Sequence, residues 1–191
     1  MFETIRIGVM HPSSSEPTPL SEQARLEALY ALNQLDTGED SELQAIVTEA
    51  AGFFNAPIAL VSLVDRNRQW FRARHGLDVR ETARGCSFCT HAIRGEMVYE
   101  VIDPLKHQLF ADNPLVLGDP NIRYYCGAPL RLENGRRVGT LCVIDDRTRG
   151  PASEMQKSHL EKLAQDVVSR FYELGETART QPASRRAVSA R

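Results

Sequence analysis

Two segments of this 191-residue chain are apolar on both alternating faces, which is the pattern of strands that are buried from both sides. The first, Ile58 to Val64, is apolar at every position except Ser62. A sheet built on such strands must be covered on both faces, so the sequence predicts a sheet between two further layers. In the second segment, alternation predicts two sides, with Val138, Thr140, Cys142 and Ile144 on one and Leu141 and Val143 on the other.

A turn signal joins the second of these strands to the segment before it. Asn134-Gly135 readily adopts φ > 0 at both central positions of a two-residue turn, which predicts a hairpin with a strand from Tyr125 to Leu132. Pro129 lies inside that strand and removes a ladder donor, so it predicts a sheet edge or a bulge. A turn at 65–68 likewise leads into a strand from Gln69 to His75.

Apolar residues at helical spacing predict three longer helices. One runs from about Ser21 to Leu35. The second begins after Asp40 as its N-cap and carries an apolar stripe from Leu43 to Phe54. The last opens at a capping box, Ser153 to Gln156, and its stripe runs from Leu160 to Leu174. The resulting order of elements is α, α, β, β, α, β, loop, β, β, α.

Composition and charge are those of a globular domain. The apolar fraction is 42%, the charged fraction 25% and the net charge -2, which gives no bias toward nucleic acid or acidic lipid. The N-terminus has no apolar stretch, and no window approaches the ~20 apolar residues of a membrane span, so a cytoplasmic protein is predicted. Its four cysteines are expected to be thiols.

Proline and arginine mark the two ends of the chain. Residues 11–19 contain three prolines, so residues 1–20 are predicted to be a flexible N-terminal segment and residues 21–175 the domain. Residues 176–191 are predicted to be a disordered basic tail. A solvated tail is favoured over weak contact of this tail with nucleic acid, and no nucleic-acid partner is expected.

Several local motifs together resemble the GAF domain family of bacterial sensory proteins over 35–174. They are Asn55 to Asp65, Gln69-Trp-Phe71, Phe88-Cys-Thr-His-Ala-Ile93, Gly127-Ala-Pro-Leu130 and Gly139 to Asp145. The resemblance implies an α+β, PAS-like fold with a central antiparallel sheet of about six strands. The N- and C-terminal helices would lie on one face, and a helix and loops would form a ligand pocket on the other. It also implies a separate histidine kinase or cyclase as partner.

The segment Cys86-Ser-Phe-Cys89-Thr-His91 has a spacing typical of metal or redox sites. Two cysteines at i and i+3 share one face of a helix, but His91 would lie ~200° around that helix from Cys89. We therefore expect no metal site and buried thiols that act as small apolar side chains. Cys126 and Cys142 lie on adjacent strands and would join such a cluster if their faces agreed.

The resemblance places a ligand pocket between the sheet and the segments 86–95 and 103–125. His91 offers a donor or acceptor, Asp103 an acceptor, and Phe88 and Tyr125 apolar walls. The predicted function is a non-enzymatic sensor of a small molecule. These residues specify neither that molecule nor a cofactor. The six expected ligand contacts are Phe88, Cys89, His91, Asp103, Asn113 and Tyr125.

The alternative function is a thiol-dependent redox enzyme or sensor, similar to the methionine sulfoxide reductase branch of the family, that uses Cys86, Cys89 or Cys126. In either case we expect a homodimer through the first and last helices. The stripe of the long last helix should extend past the sheet it covers, and apolar surface left in water is unfavourable by ~25 cal/mol per Å².

Overall fold

The computed structural model describes residues 19–180, and the segments 1–18 and 181–191 lie outside the described residues. Two single turns of 3-10 helix, Arg84–Cys86 and Pro104–Lys106, interrupt the loops. The helices and strands in chain order are α1 Pro19–Ala31, α2 Ser41–Phe54, β1 Ile58–Val64, β2 Arg68–His75, β3 Glu81–Ala83, α3 Phe88–Ala92, β4 Tyr99–Val101, α4 Pro114–Leu117, β5 Tyr124–Arg131, β6 Arg137–Asp145 and α5 Glu154–Thr180.

The strands form one six-stranded sheet in the order β3-β2-β1-β6-β5-β4, and every neighbouring pair is antiparallel. The two segments that are apolar on both faces, β1 and β6, are the central pair. Their close pairing depends on Gly139, because a Cβ at that position would lie 2.0 Å from the carbonyl oxygen of Ser62. The predicted α+β fold with a six-stranded antiparallel sheet is confirmed.

Both faces of the sheet are covered, as the central strands require. One face packs under α1, α2 and α5, and the other under α3, α4 and the loops between β3 and β5. Trp70 and Phe71, adjacent on β2, enter opposite layers. The sheet therefore separates a layer of long helices from a layer of short helices and loops.

Local capping signals are confirmed at both long helices that carry them. The Asp40 carboxylate accepts a hydrogen bond from the Leu43 N–H at 3.0 Å, which caps α2. Ser153 and Gln156 cap each other's backbone N–H groups at 3.0 and 3.2 Å before α5. The helix boundaries differ from the expected ones. Helix α1 covers 19–31, and α5 continues through 176–180, the start of the segment predicted as a tail.

The hairpin between β5 and β6 differs from the predicted two-residue turn. Only Gly135 has a positive φ, of 78°, whereas Asn134 does not. The Gly135 N–H donates to the Leu132 carbonyl at 2.8 Å, and the Leu132 N–H donates to the Arg136 carbonyl at 2.8 Å. The loop is thus one residue longer than predicted, with the glycine in the left-handed position that such loops favour.

A bulge at the same end of the hairpin changes which face Val138 occupies. Pro129 pairs with Thr140 and Arg131 with Arg137, so β6 carries one residue more than β5 between these pairs. Pro129 thus lies beside a bulge, as predicted. The extra residue reverses the alternation. Val138 packs in the helix layer with Leu141, and its predicted placement beside Thr140 was wrong.

The apolar stripe of α5 is used within the domain. Its residues from Leu160 to Phe171 are buried in the helix layer, and Leu174 is half-buried. The surplus apolar surface from which a homodimer was predicted is therefore small along α5, and the dimer stays a prediction without that support. No helix within 19–180 combines the length and apolarity needed to cross a bilayer.

Leu141→Ala should destabilise the domain strongly. Leu141 lies on the central strand with no exposed surface, and truncation there leaves a cavity that costs about 2–5 kcal/mol of unfolding free energy. Leu109→Ala makes the same chemical change at a side chain that is 58% exposed, and should alter stability by no more than about 0.5 kcal/mol. Urea unfolding followed by circular dichroism measures both. Equal losses would show that Leu141 is not a core residue.

Candidate functional site

A cavity of about 160 Å³ lies in the loop layer, between the sheet and α3. Apolar side chains of β1, β2 and β6 form its floor, and α3 and the segment after α4 form its walls. Its polar lining is confined to a few groups, chiefly Gln69, Thr82 and Asp119. The apolar lining residues are Ile58, Leu60, Phe71, Leu77, Val79, Phe88, Leu115, Pro120, Ile122 and Ile144, with Cys89 and Tyr125 completing the wall.

Stacked aromatic rings hold α3 against the sheet. Phe88 stacks on Phe110 with ring centroids 3.9 Å apart and on Tyr125 at 5.2 Å. All three rings are buried. Tyr125 has no exposed surface, so it supports the core as well as forming a cavity wall, and we do not expect Tyr125→Ala to spare the fold.

Gln69 organises the polar edge of the cavity. Its Nε2 donates to Thr82 Oγ1 at 2.7 Å, and its Oε1 accepts from Ser87 Oγ at 2.5 Å and from Ser62 Oγ at 3.3 Å. Ser87 is also the N-cap of α3, where its Oγ accepts from the Thr90 N–H at 3.2 Å. A buried amide on β2 is thus tied directly to the start of the helix that closes the cavity.

The Cys89 thiol, in the cavity lining, has a second thiol as a neighbour. The Tyr125 hydroxyl lies 3.4 Å from Cys89 Sγ and 3.5 Å from Thr140 Oγ1, and Cys142 hydrogen-bonds with Cys89. Hydrogen bonds to Cys89, first from Cys142 and then from Thr140 and Tyr125, lower its pKa against the effect of burial. The Cys142 thiol that donates to Cys89 is buried, and its pKa is raised.

The other two cysteines lie elsewhere. Cys86 belongs to the 3-10 turn Arg84–Cys86, not to the helix of Cys89, and its thiol contacts the Ala83 carbonyl at 3.1 Å. The predicted shared helical face of Cys86 and Cys89 was therefore wrong. Cys126 packs in the helix layer, so its face does not agree with that of Cys142. Within 19–180, no three His, Cys, Asp or Glu side chains are grouped as a metal ion would require.

The structure brings Phe88, Cys89 and Tyr125 to the cavity and places the other three predicted contacts outside its lining. His91 is half-buried and lies edge-on to Phe110, and burial lowers its pKa.

Asp103 and Asn113 have structural partners instead. The Asp103 carboxylate is 2.8 Å from Lys106 Nζ. Asn113 caps α4 through the Leu115 N–H at 2.9 Å, and its Nδ2 donates to the Cys86 carbonyl at 2.9 Å. Asn113 therefore connects the 103–125 segment to the turn before α3, which is a positioning role that the sequence did not indicate.

Sequence reasoning missed Gln69, Thr82 and Asp119 as polar groups of the cavity. Gln69 did carry a signal, because a polar residue at an inward position of a buried strand needs a hydrogen-bond partner. Thr82 and Asp119 lie in short or irregular segments, whose positions depend on the elements around them.

Comparison with known proteins gives a family match and one close relative. The model of the GAF domain family matches residues 39–170. The chain is 43% identical over 164 residues to the cyclic di-GMP phosphodiesterase PA2567 of Pseudomonas aeruginosa. That alignment covers 86% of this chain and 28% of the relative, so the chain spans little more than a quarter of that protein's length.

Solved structures share the fold at low sequence identity. The GAF domain of an Acinetobacter phosphoenolpyruvate-protein phosphotransferase has a TM-score of 0.59 at 16% identity, over 82% of this chain and 98% of that one. The free methionine-R-sulfoxide reductase of Neisseria meningitidis, in complex with its substrate, has a TM-score of 0.57 at 17% identity, over 83% and 92%. At these identities the likeness extends to the fold alone.

Alkylation of the native protein should distinguish the four thiols. Cys86 is partly exposed, whereas Cys89, Cys126 and Cys142 are at most 3% exposed, so iodoacetamide should modify Cys86 first and the others only after unfolding. Peptide mass spectrometry of samples quenched over time measures this order, with protein in denaturant as the control. Modification of Cys126 as fast as Cys86 would contradict the placement.

Proposed function

Because this chain belongs to the GAF domain family, we propose that it is a sensory module that binds a small molecule in the cavity under α3 and regulates an output activity without catalysing a reaction itself. The observation that carries this proposal is the cavity, which combines an apolar floor with a few polar groups at one edge. Pockets for small molecules typically have this composition.

The lining supports an uncharged, largely apolar ligand. Among residues 19–180, no lysine, arginine or histidine lines the cavity, and the one carboxylate in its lining is Asp119. A ligand with phosphates or several carboxylates would have no counter-charge there, which makes its burial unfavourable. The volume of about 160 Å³ is close to the ~150 Å³ of a cavity that holds benzene. The ligand we propose therefore has about one ring, or a chain of similar size.

Polar groups at the edge of the cavity would orient such a ligand. The Thr82 hydroxyl, the Gln69 amide and the Cys89 thiol all belong to the lining. Gln69 already has three partners, so the Thr82 hydroxyl, with acceptor capacity left, is the group best suited to a ligand hydroxyl or carbonyl.

Ligand binding would act on α3 and the 103–125 segment. Near the cavity, both segments are held by few hydrogen bonds, chiefly that of Ser87 with Gln69 and that of Asn113 with the Cys86 carbonyl. A ligand that favours one arrangement of these segments shifts the population toward it. The change would then reach the rest of the protein through the sheet and the helix layer.

For the output we propose an enzyme of cyclic di-GMP turnover, which is supported by the relative that carries a similar segment within a longer phosphodiesterase. A separate histidine kinase or cyclase was the expectation from the resemblance, and a cyclase agrees with this proposal. The cytoplasmic location and the homodimer stay predictions.

Filling the cavity should abolish ligand binding. Leu77 lines the cavity and is half-buried, so Leu77→Trp adds an indole with little strain on the core. Ligand-observed NMR with uncharged single-ring compounds, such as benzyl alcohol, should show binding to the wild type and not to Leu77→Trp. Leu109→Trp, at an exposed leucine outside the cavity, is the matched control and should bind like the wild type. Equal binding to both variants would remove the cavity as the site.

A second candidate function, thiol redox chemistry, is favoured by the hydrogen bond between Cys89, which lines the cavity, and Cys142, which does not. This pair replaces the Cys86, Cys89 or Cys126 combinations that the sequence suggested. If the protein were such an enzyme, free methionine sulfoxide would be reduced with a dithiol as reductant, and Cys89→Ser would stop turnover while Cys126→Ser would not. The sensor proposal predicts no turnover above the Cys89→Ser level, measured by chromatography of the methionine formed.

A further inference from the structure

A second cavity, of about 270 Å³, lies on the other side of α3 and is strongly basic. Its lining comes from the start of α1, the turn before α3, the end of α3 and the β5–β6 hairpin. The chain as a whole has a net charge of -2, so this positive charge is a local concentration. Five arginines line it: Arg25, Arg84, Arg94, Arg136 and Arg137.

One carboxylate in this lining, that of Glu22, holds two of the arginines. Arg25 donates to it through Nε at 2.8 Å and Nη2 at 2.7 Å, and Arg84 donates through Nη1 at 2.6 Å. Although burial raises the pKa of Glu22, these hydrogen bonds lower it to about 2. The cavity thus has a rigid wall in which both arginine side chains have fixed positions.

Arg136 and Arg137 add further positive charge to this cavity. Arg137 donates through Nε to the Ile93 carbonyl at 2.8 Å, and its Nη1 is 3.6 Å from the exposed Glu96. The half-buried guanidinium of Arg136 has no hydrogen bond or ion pair with any residue of the described part of the chain. Setting Glu22 and Glu96 against Arg25, Arg84, Arg136 and Arg137 leaves an excess of two positive charges.

The basic surface continues around α3. A neighbouring, more open cavity shares Arg84, Thr90 and Arg94 with the first and adds Arg66 and His91. Thr90 contributes a hydroxyl between the two cavities. His91, predicted from the sequence to contact a ligand, therefore lies beside the basic surface.

We infer that the basic cavity binds a phosphate-bearing metabolite, with the Arg136 guanidinium as the free donor and with Arg84 and Thr90 beside the phosphate. The planar guanidinium matches two phosphate oxygens at once, and hydrogen bonds between two charged groups are the stronger kind. Arginines that converge from separate elements on one cavity can surround a phosphate in a way that a single solvated charge cannot.

Helix α3 connects this site to the apolar cavity. Phe88 and Cys89 line the apolar cavity, and Thr90, the next residue, lines the basic one. A five-residue helix moves as a unit, so a phosphate that repositions α3 changes the affinity of the apolar cavity, and a ligand there changes the phosphate affinity by the same factor. This coupling rests on the proposed ligand cavity, whereas the phosphate site itself does not.

Calorimetric titration of the full 191-residue chain with pyrophosphate at low salt tests the site. The wild type should bind pyrophosphate, and Arg136→Gln should weaken binding about tenfold or more, as loss of a hydrogen bond to a charged group predicts. Arg131→Gln removes the same charge from an exposed position on the same hairpin and should leave the affinity within about twofold. Equal losses in both variants, or no binding by the wild type, would overturn the site.

Two further arms identify the source of the phosphate and separate this site from the apolar cavity. Adenosine diphosphate that binds more tightly than pyrophosphate supports a nucleotide, and tighter pyrophosphate supports a free phosphate ion. Leu77→Trp should still bind pyrophosphate, with only the change in affinity that coupling through α3 produces, whereas Arg136→Gln should weaken binding about tenfold or more, so failure of the apolar ligand site and failure of the basic site give different results. Pyrophosphate binding that is lost in Leu77→Trp and kept in Arg136→Gln would place the anion in the apolar cavity and refute the proposal.

Discussion

The pairing of β1 with β6 is the constraint on which the other layers depend. These strands are buried on both faces, and they approach so closely that only glycine fits at Gly139, opposite the Ser62 carbonyl. A sheet with such a centre is stable only when two separate layers exclude water from it. The long helices cover one side, which leaves the other side to the short elements that form the site.

The two layers differ in their construction, and this difference explains where function can reside. The helix layer is a continuous core of three long helices, and the apolar stripes of these helices are buried inside the domain. The opposite layer consists of single turns and loops that are held by a few specific hydrogen bonds, such as Ser87 to Gln69 and Asn113 to the Cys86 carbonyl. Loops on a rigid sheet can adjust to a ligand with little cost to the core.

Helix α3 lies between two cavities of opposite character. The cavity lined by Phe88 and Cys89 has an apolar floor and takes no cationic side chain from the described part of the chain, whereas the cavity lined by Thr90 is surrounded by arginines. An uncharged ligand and a phosphate would therefore select different sites because of desolvation and charge. Within the loop layer, α3 contributes residues to the lining of both cavities.

Sequence alone determined the elements whose causes are local or periodic: the two-faced strands, the helical stripes, the Asp40 cap and the capping box before α5. Tertiary structure decided which side chains meet. A bulge in β6 places Val138 in the helix layer. Asp103 forms an ion pair with Lys106 and does not line the cavity. The thiol of Cys142 reached Cys89, 53 positions earlier in the chain, because β6 passes beneath α3. Such contacts depend on how distant segments pack, and short-range periodicity carries no information about that packing.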